Sequence, residues 1–252
     1  ITKIGGDVTI NTDSEGSFSY TGQSNSLTDT GIVFVDETNG SSSGDTISGD
    51  GLDNIIVGDS SSERILGFEG NDVLVGMNGD DTMLGGTGLD WLIGGNGDDS
   101  LSGDNGNDRL QGDAGNDTLA GGAGADELTG GGGADRFVIS AGDSSLSLMD
   151  VITDFTPGSD QIDLASYGFS GNLDNSIIEN VVSSYTSANS TNFFGSGGGQ
   201  RGVVVEYSNS DDTARVYIDA DSNGDFNAGA DVVIQLNNIT DNSLSTTDFS
   251  NY

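Results

Sequence analysis

The apolar positions of residues 40–138 recur every nine residues without a slip. Counted in nines from Gly40, eleven consecutive units end at Val138, and the eighth position of every unit is apolar. These eighth-position residues are Ile47, Ile56, Ile65, Leu74, Met83, Leu92, Leu101, Leu110, Leu119, Leu128 and Phe137. Mostly polar residues and glycine separate them, which indicates a repeat architecture with one inward side chain in each unit.

The last three residues of each unit, such as Thr118-Leu119-Ala120, are predicted to form a short strand with its middle side chain inward. Two units then make one coil with a strand on each side. Stacked coils bury the apolar column between two parallel sheets, and each coil is stabilised by its neighbours. The fold class predicted is all-β, with a right-handed parallel β-roll over residues 40–138.

Glycine and aspartate occupy fixed positions in the repeat. Glycine stands first in all eleven units and fourth in eight, and such glycines allow positive φ and close backbone approach in tight turns. The sixth position is Asp in nine units, with Asn54 and Glu63 in the other two. It falls at the turn between the two sheets, so coil stacking aligns the sixth-position side chains in two rows.

Each row brings carboxylates close together. One row is predicted to hold Asp72, Asp90, Asp108 and Asp126, and the other Asp81, Asp99, Asp117 and Asp135. Strand spacing sets neighbours about 4.8 Å apart, where unpaired charges repel. A dication between them would reverse that repulsion, and oxygen ligands in a flexible loop favour Ca²⁺ over Mg²⁺.

The predicted ligands are these aspartates and glycine carbonyls beside them. The candidate carbonyls belong to Gly85, Gly94, Gly103, Gly112 and Gly121. Six pairs of residues eighteen apart are Asp–Asp, and three further pairs involve Asp45, Asn54 or Glu63 and are expected to bind more weakly. The sequence therefore predicts about six to nine structural calcium ions, on a chain whose net charge is −35.

Composition excludes several classes of function. The 41 acidic residues against 6 basic ones make nucleic acid and anionic membranes poor partners. His and Cys are absent, which removes His-dependent nucleophile systems, thiolate or imidazole zinc sites and disulfides. H-E-x-x-H and an apolar run of transmembrane length are also missing. We therefore predict no catalytic residues. A glycosidase using two carboxylates is disfavoured, because so many acids make close pairs unavoidable.

The repeat resembles the RTX (repeats-in-toxin) nonapeptide G-G-x-G-x-D-x-U-x, a known calcium-binding β-helix repeat. Residues 94–102 and 121–129 match it in full, whereas Ser43, Leu52 and Ser61 replace its fourth glycine. Residues 150–164 resemble the segment after the roll in serralysin-type proteins. The resemblance implies export by the type I secretion machinery of a Gram-negative bacterium and folding outside the cell on Ca²⁺.

Residues 139–252 contain no nonapeptides and are predicted to be a β-rich capping and secretion module. Residues 150–164 predict strand, turn and strand, and further strands are predicted at Val203–Tyr207, Ala214–Ile218 and Val232–Leu236. The acidic loop Asp219, Asp221, Asn223 and Asp225 repeats the opening of an EF-hand but lacks its twelfth-position Glu. A further Ca²⁺ site and a plain acidic turn both fit this loop.

Residues 1–39 are predicted to form a β-rich flank, with strands at Val8–Ile10, Phe18–Tyr20 and Ile32–Val35. The outward positions of one predicted sheet are apolar at Ile55, Val57, Val73, Val75, Trp91 and Ile93. Exposed patches of this kind are usually covered. The sequence thus predicts that the flank, another copy or an upstream domain buries Trp91.

Two functions fit these observations. The first is a non-catalytic extracellular protein of a surface layer, matrix or adhesin, assembling with other copies of itself or with a cell-surface or polysaccharide partner. The second is the calcium-binding carboxyl-terminal module of a larger secreted hydrolase, such as a protease, lipase or polysaccharide-modifying enzyme. The first is preferred, because residue types suited to catalysis are few.

Overall fold

The computed structural model describes residues 10–12, 18–20, 32–34, 46–140, 143–145, 147–167, 203–207, 212–218, 231–239 and 243–250. Its strands are β1 (Ile10–Thr12), β2 (Phe18–Tyr20), β3 (Ile32–Phe34), β4 (Thr46–Ser48), β5 (Ile55–Val57), β6 (Arg64–Glu69), β7 (Val73–Asn78), β8 (Thr82–Thr87), β9 (Trp91–Asn96), β10 (Ser100–Asn105), β11 (Arg109–Ala114), β12 (Thr118–Ala123), β13 (Glu127–Gly132), β14 (Arg136–Val138), β15 (Asp150–Ile152), β16 (Gln161–Asp163), β17 (Val203–Tyr207), β18 (Thr213–Ile218), β19 (Val232–Asn237) and β20 (Phe249–Ser250). Short 3₁₀ turns lie at Ala165–Tyr167 and Thr246–Asp248.

Successive strands of the roll alternate between two sheets. The even strands from β4 to β16, with β20, form an eight-stranded sheet, and the odd strands from β3 to β15, with β17, β18 and β19, form a ten-stranded sheet. Strands eighteen residues apart pair in parallel register, as in Leu101 with Leu119 and Leu110 with Leu128. This arrangement confirms the predicted all-β parallel roll.

The eighth-position column forms the core as predicted. Ile47 is 6% exposed, and the other ten side chains of the column, from Ile56 to Phe137, are 0–1% exposed. Beyond the last nonapeptide the same core continues through Ile152 and Ile162. Each coil thus buries its apolar side chains against the coils above and below, so the stack depends on an unbroken column.

The strands of the roll are longer than predicted. From β6 to β13 each runs six residues, from the seventh position of one unit to the third position of the next. The first-position glycine is therefore a buried strand residue rather than a turn residue, and positive φ occurs at the second position and at most fourth positions. Non-glycine residues tolerate the left-handed second position in places, as Phe68 (φ 82°) and Met77 (φ 84°) show.

Both sheets continue past residue 138, where the nine-residue period ends. β15 pairs in parallel with β13, and β16 pairs in parallel with β14. The predicted strand, turn and strand at residues 150–164 are therefore confirmed, but they form one more coil, with one strand in each sheet. The ten-stranded sheet then ends in the antiparallel strands β17, β18 and β19, and the eight-stranded sheet ends in β20.

The described part of the amino-terminal flank does not bury Trp91; its burial by another copy or by an upstream domain stays a prediction. Its side chain is 40% exposed, and Ile55 on the same face is 42% exposed. In the described part of the flank, β3 pairs beside β5 and lengthens the ten-stranded sheet instead of crossing its outer face. The guanidinium of Arg109 lies 5.3 Å from the Trp91 ring centroid, a cation–π contact that shields the ring in part.

None of the described segments forms a helix long and apolar enough to cross a bilayer.

Candidate metal centre

The sixth-position side chains form two rows of linked hydrogen bonds, one along each edge of the roll. In each row, Oδ1 of an aspartate accepts the backbone N–H of the sixth-position residue one coil earlier, at 2.7–2.9 Å. For example, Asp117 accepts from Asp99, and Asp135 accepts from Asp117. These eight aspartates are only 1–3% exposed. The structure thus brings together all the sixth-position aspartates predicted from Asp72 to Asp135.

The second carboxylate oxygen is left without a protein partner. Oδ2 of seven aspartates is buried and accepts no hydrogen bond, and so is Oε1 of Glu63. The seven are Asp72, Asp81, Asp90, Asp99, Asp108, Asp117 and Asp126. A buried anionic oxygen with no partner is strongly unfavourable, and a bound cation is the usual compensation. The orphaned oxygens therefore fit a metal site repeated along the roll.

The first-position glycines bring carbonyl oxygens to the same place. Along the roll from Gly67 to Gly112, a Cβ added to such a glycine would overlap Oδ2 of its own unit's aspartate. The same Cβ would lie 2.5–2.9 Å from the carbonyl oxygen of the first-position glycine one coil on. The carbonyls facing these points include those predicted as ligands, from Gly85, Gly94, Gly103, Gly112 and Gly121. Carboxylate and carbonyl oxygens together are a donor set suited to Ca²⁺.

Main-chain oxygens are essential to any such site. Among the described residues, no three acidic side chains converge in a way that could hold a metal ion by themselves. Each ion would need carbonyls as well as carboxylates. This explains why the repeat requires glycine and aspartate in fixed relation, since neither alone completes the site.

The first coils depart from this pattern. We call each sixth-position residue of a row a rung. The Asn54 side chain is a rung but is neutral, and its Oδ1 accepts the backbone N–H of Asp50 at 2.8 Å. The longer Glu63 carboxylate reaches back to the N–H of Asp59 at 3.3 Å. Both retain the backbone link to the next coil, through Asp72 and Asp81 respectively. Asp45 and the loop residues Asp219, Asp221, Asn223 and Asp225 lie outside the described residues.

A second set of side-chain contacts escaped the sequence analysis. At the exposed fifth position, Asp or Asn side chains accept the backbone N–H of the fifth-position residue one coil later. Asp98, for example, accepts from Asn116 at 2.7 Å, and Asn116 accepts from Ala134 at 3.0 Å. The frequent Asp and Asn at this position were the available signal. These bonds link neighbouring turns, but they involve exposed groups rather than orphaned buried ones.

Burial disfavours the charged form of every described sixth-position carboxyl in the calcium-free chain. It raises the pKa of Asp72, Asp81, Asp117 and Asp126 to about 6, and that of Asp99 and Asp108 to about 7. For Asp99, the charges of Asp81 and Asp117 raise the pKa further, while the N–H of Asp81 lowers it. The rows therefore hold protons more tightly in the folded state than in the unfolded chain.

Protonation of the buried aspartates at acidic pH is therefore expected to stabilise the calcium-free fold in part, as calcium binding would. Because these pKa values are raised from about 4 to between 6 and 7, the folded state binds more protons than the unfolded state between about pH 4 and pH 7. Folding stability of the calcium-free chain should thus be greatest near pH 4–5 and fall as pH rises to 7. Circular dichroism in resin-decalcified buffers from pH 4.5 to 8 measures this.

General charge repulsion must be separated from the effect of the buried rows. Salt screens exposed charges far more than buried ones. If 1 M NaCl at pH 8 restored the β spectrum as fully as pH 5 does, surface repulsion rather than the rows would govern folding. With calcium present the pH trend should reverse, because protons compete for the same oxygens and raise the calcium midpoint.

The repeats of this chain are similar to those of known proteins. The family model of the RTX calcium-binding nonapeptide repeat (4 copies) matches residues 39–74, 66–101 and 102–137. A comparison with proteins of curated function found no match to this chain.

Three solved structures resemble parts of the chain. The AlgE6R2 subunit of mannuronan C5-epimerase from Azotobacter vinelandii is 26% identical, with 62% of this chain and 89% of that chain covered and a TM-score of 0.38. The AlgE6R3 subunit of the epimerase is 28% identical, with 79% and 77% covered and a TM-score of 0.33. Extracellular lipase LipA from Serratia marcescens is 16% identical, with 86% and 42% covered and a TM-score of 0.29.

The repeat pattern, the buried aspartate rows and the family match agree in one assignment. Residues 39–137 match the RTX calcium-binding nonapeptide repeat, and this match supports a relationship of the chain to the RTX family.

Proposed function

We propose that this chain is an extracellular structural module that folds on calcium and has no catalytic activity of its own. The observation that carries the proposal is the pair of buried aspartate rows, in which Oδ2 of seven residues lacks any protein partner. Such rows make the metal-free roll costly and the metal-bound roll stable. The chain would therefore act as a rigid element that forms only where calcium is plentiful.

Metal binding and folding are coupled because the unfolded chain has no preformed site. The aspartates of one row are eighteen residues apart in sequence and become neighbours only when the coils stack. Ion binding free energy is then also folding free energy. Low calcium inside a cell and high calcium outside it would keep the chain unfolded during export and fold it afterwards.

The environment of the acids supports a structural rather than a catalytic role. A groove of about 550 Å³ lies along one edge of the roll, and its acids include Asp90, Asp108 and Asp126. These are successive rungs of one row, and each accepts the same hydrogen bond from the preceding coil. An acid and base pair for hydrolysis needs two carboxyls in contrasting environments. A repeating row provides the same environment at every rung.

Calcium titration of the full chain tests the proposal. In excess chelator at pH 7.5 we expect a disordered far-UV circular dichroism spectrum, and in millimolar calcium a β spectrum with a cooperative transition between them. Fluorescence of Trp91, the sole tryptophan, should report the same transition because its ring packs against Arg109 only in the roll. Millimolar magnesium should be much less effective.

An ordered β spectrum that is identical in chelator and in calcium would refute calcium-dependent folding. Hydrolytic activity of the folded chain on polysaccharide, lipid or protein substrates would refute the non-catalytic role while leaving the metal dependence intact.

A further inference from the structure

The row that contains Asp126 does not end with the last nonapeptide. Oδ1 of Asp150 accepts the backbone N–H of Asp126 at 3.0 Å, the same contact that links every earlier rung. Asp150 is 1% exposed and begins β15, so it occupies the place that the sixth-position aspartate of another unit would hold. The sequence distance is 24 residues instead of 18, and for that reason a nine-residue count does not find it.

Asp126 directs an unsatisfied oxygen into this junction. Its Oδ2 is buried without a hydrogen-bond partner, and the whole residue is 2% exposed. In the earlier coils Oδ2 of each aspartate faces a carbonyl of the following coil, as Asp99 faces Gly112. The coil that follows Asp126 is the one that contains Asp150. The next coil after this orphaned oxygen is therefore the post-repeat segment and not another nonapeptide.

The other groups at the junction are also acidic. The charges that act on Asp150 are those of Asp126 and Asp143, and the charge that acts on Asp126 is that of Asp143. The backbone carbonyl of Asp143 accepts the N–H of Gly124 at 3.3 Å, which holds this loop against the roll. Negative charge without an opposing cation favours a bound metal ion, which would need main-chain oxygens here as it does along the roll.

The opposite row ends differently and provides an internal comparison. Asp160 takes the equivalent place after Asp135, whose backbone N–H it accepts at 3.0 Å through Oδ1. Its Oδ2 accepts the N–H of Thr156 at 2.7 Å, so both oxygens have protein partners. Oδ2 of Asp135 is likewise absent from the orphaned set. One row thus carries an orphaned oxygen at Asp126, its last nonapeptide position, whereas neither Asp135 nor Asp160 of the other row carries one.

We propose that Asp126 and Asp150 bind one further divalent cation of the calcium class, at the junction between the nonapeptide roll and the carboxyl-terminal cap, with Asp143 adding negative charge. The proposal rests on the proposed function, since it extends the calcium row by one site. Asp160 terminates the other row without a metal ion.

An ion at this place would join the roll to the cap. The backbone N–H of Asp150 donates to Ser144 Oγ at 2.8 Å, and that hydroxyl donates to the carbonyl of Val233 in β19 at 2.6 Å. β19 also pairs directly with β15. Ordering of Asp150 by a cation would therefore order the strand on which the cap is built.

Counting bound calcium in matched variants tests the site. Asp150→Asn and Asp160→Asn each remove one charge and retain an oxygen for the backbone N–H of the preceding rung. Equilibrium dialysis against saturating free calcium, followed by elemental analysis, should show one ion fewer per chain for Asp150→Asn than for the original protein. Asp160→Asn should show the original number. Thermal unfolding with a probe on the cap should show the larger loss of stability for Asp150→Asn.

The possible results are distinguishable. Equal ion counts for all three proteins, or a loss caused by Asp160→Asn but not by Asp150→Asn, would overturn the inference while leaving the roll sites intact. A chain that binds no calcium at all would contradict the proposed function instead. If Asp150→Asn gives no β spectrum in calcium, Asp143→Asn decides: it should weaken the affinity of one ion, and an unchanged binding isotherm would overturn the inference.

Discussion

Asp117→Ala is expected to raise the calcium midpoint of folding by at least about tenfold. Asp117 lies between Asp99 and Asp135 in one row, so its removal takes a carboxylate from two neighbouring sites. It also leaves the buried N–H of Asp99 without the acceptor that now lies at 2.8 Å, which costs about 1–3 kcal/mol. A tenfold change corresponds to about 1.4 kcal/mol. Calcium titration followed by circular dichroism measures the midpoint.

Asp98→Ala is the matched control for this experiment. Asp98 is the residue before Asp99 and accepts the N–H of Asn116 at 2.7 Å, so its removal also costs one charge and one acceptor. Its side chain is exposed and contributes no orphaned oxygen. We therefore expect the calcium midpoint of folding to shift by less than about threefold, because exposed contacts contribute little to stability. A midpoint equal for Asp117→Ala and the original protein would show that neighbouring sites do not share this carboxylate.

Gly112→Ala should prevent stable stacking at the coil that it occupies. Its added Cβ would overlap Oδ2 of Asp117 and lie 2.6 Å from the carbonyl oxygen of Gly130, the two groups expected to bind the ion. Overpacking in a buried site typically costs 1–3 kcal/mol, and the displaced ligands add the loss of a cation. We expect at least one ion fewer per chain and a lower unfolding temperature in saturating calcium.

Gly132→Ala separates the effect of the site from that of glycine replacement in general. Gly132 is also a strand residue of the roll, but a Cβ there meets nothing closer than the carbonyl oxygen of Asp113 at 3.9 Å. Its ion count should be unchanged and its stability should change by less than about 1 kcal/mol. Equal effects of the two substitutions would indicate that backbone conformation, rather than the ligand cradle, requires glycine at position 112.

Much of the roll was predictable because one residue position controls one contact. The eighth-position residues from Ile47 to Phe137 form the core, and the strands expected near Val203, Ala214 and Val232 are present as β17, β18 and β19. The spacing of Asp99 and Asp117 gave their alignment in one row. Parallel stacking of equal coils converts sequence period into spatial position with little ambiguity.

Other features depended on how the coils meet. Gly112 is conformationally ordinary and is required by the close approach of Asp117 Oδ2 and a neighbouring carbonyl. Trp91 is 40% exposed, and β3 extends the edge of the sheet rather than crossing its face. Such outcomes depend on the distance between groups from different coils, which a one-dimensional pattern does not contain.

The sequence by itself determined the nine-residue period, the buried apolar column, the two aspartate rows and the calcium-binding class of the protein. Only the tertiary structure decided that the seventh to third positions form continuous strands, and that Asp150 and Asp160 continue the rows after the period has ended. It also decided which carboxylate oxygens have a hydrogen-bond partner in the protein and which have none. The physical reason is that a repeat specifies local geometry and register. The end of a stack, by contrast, is set by the packing of whatever segment covers it.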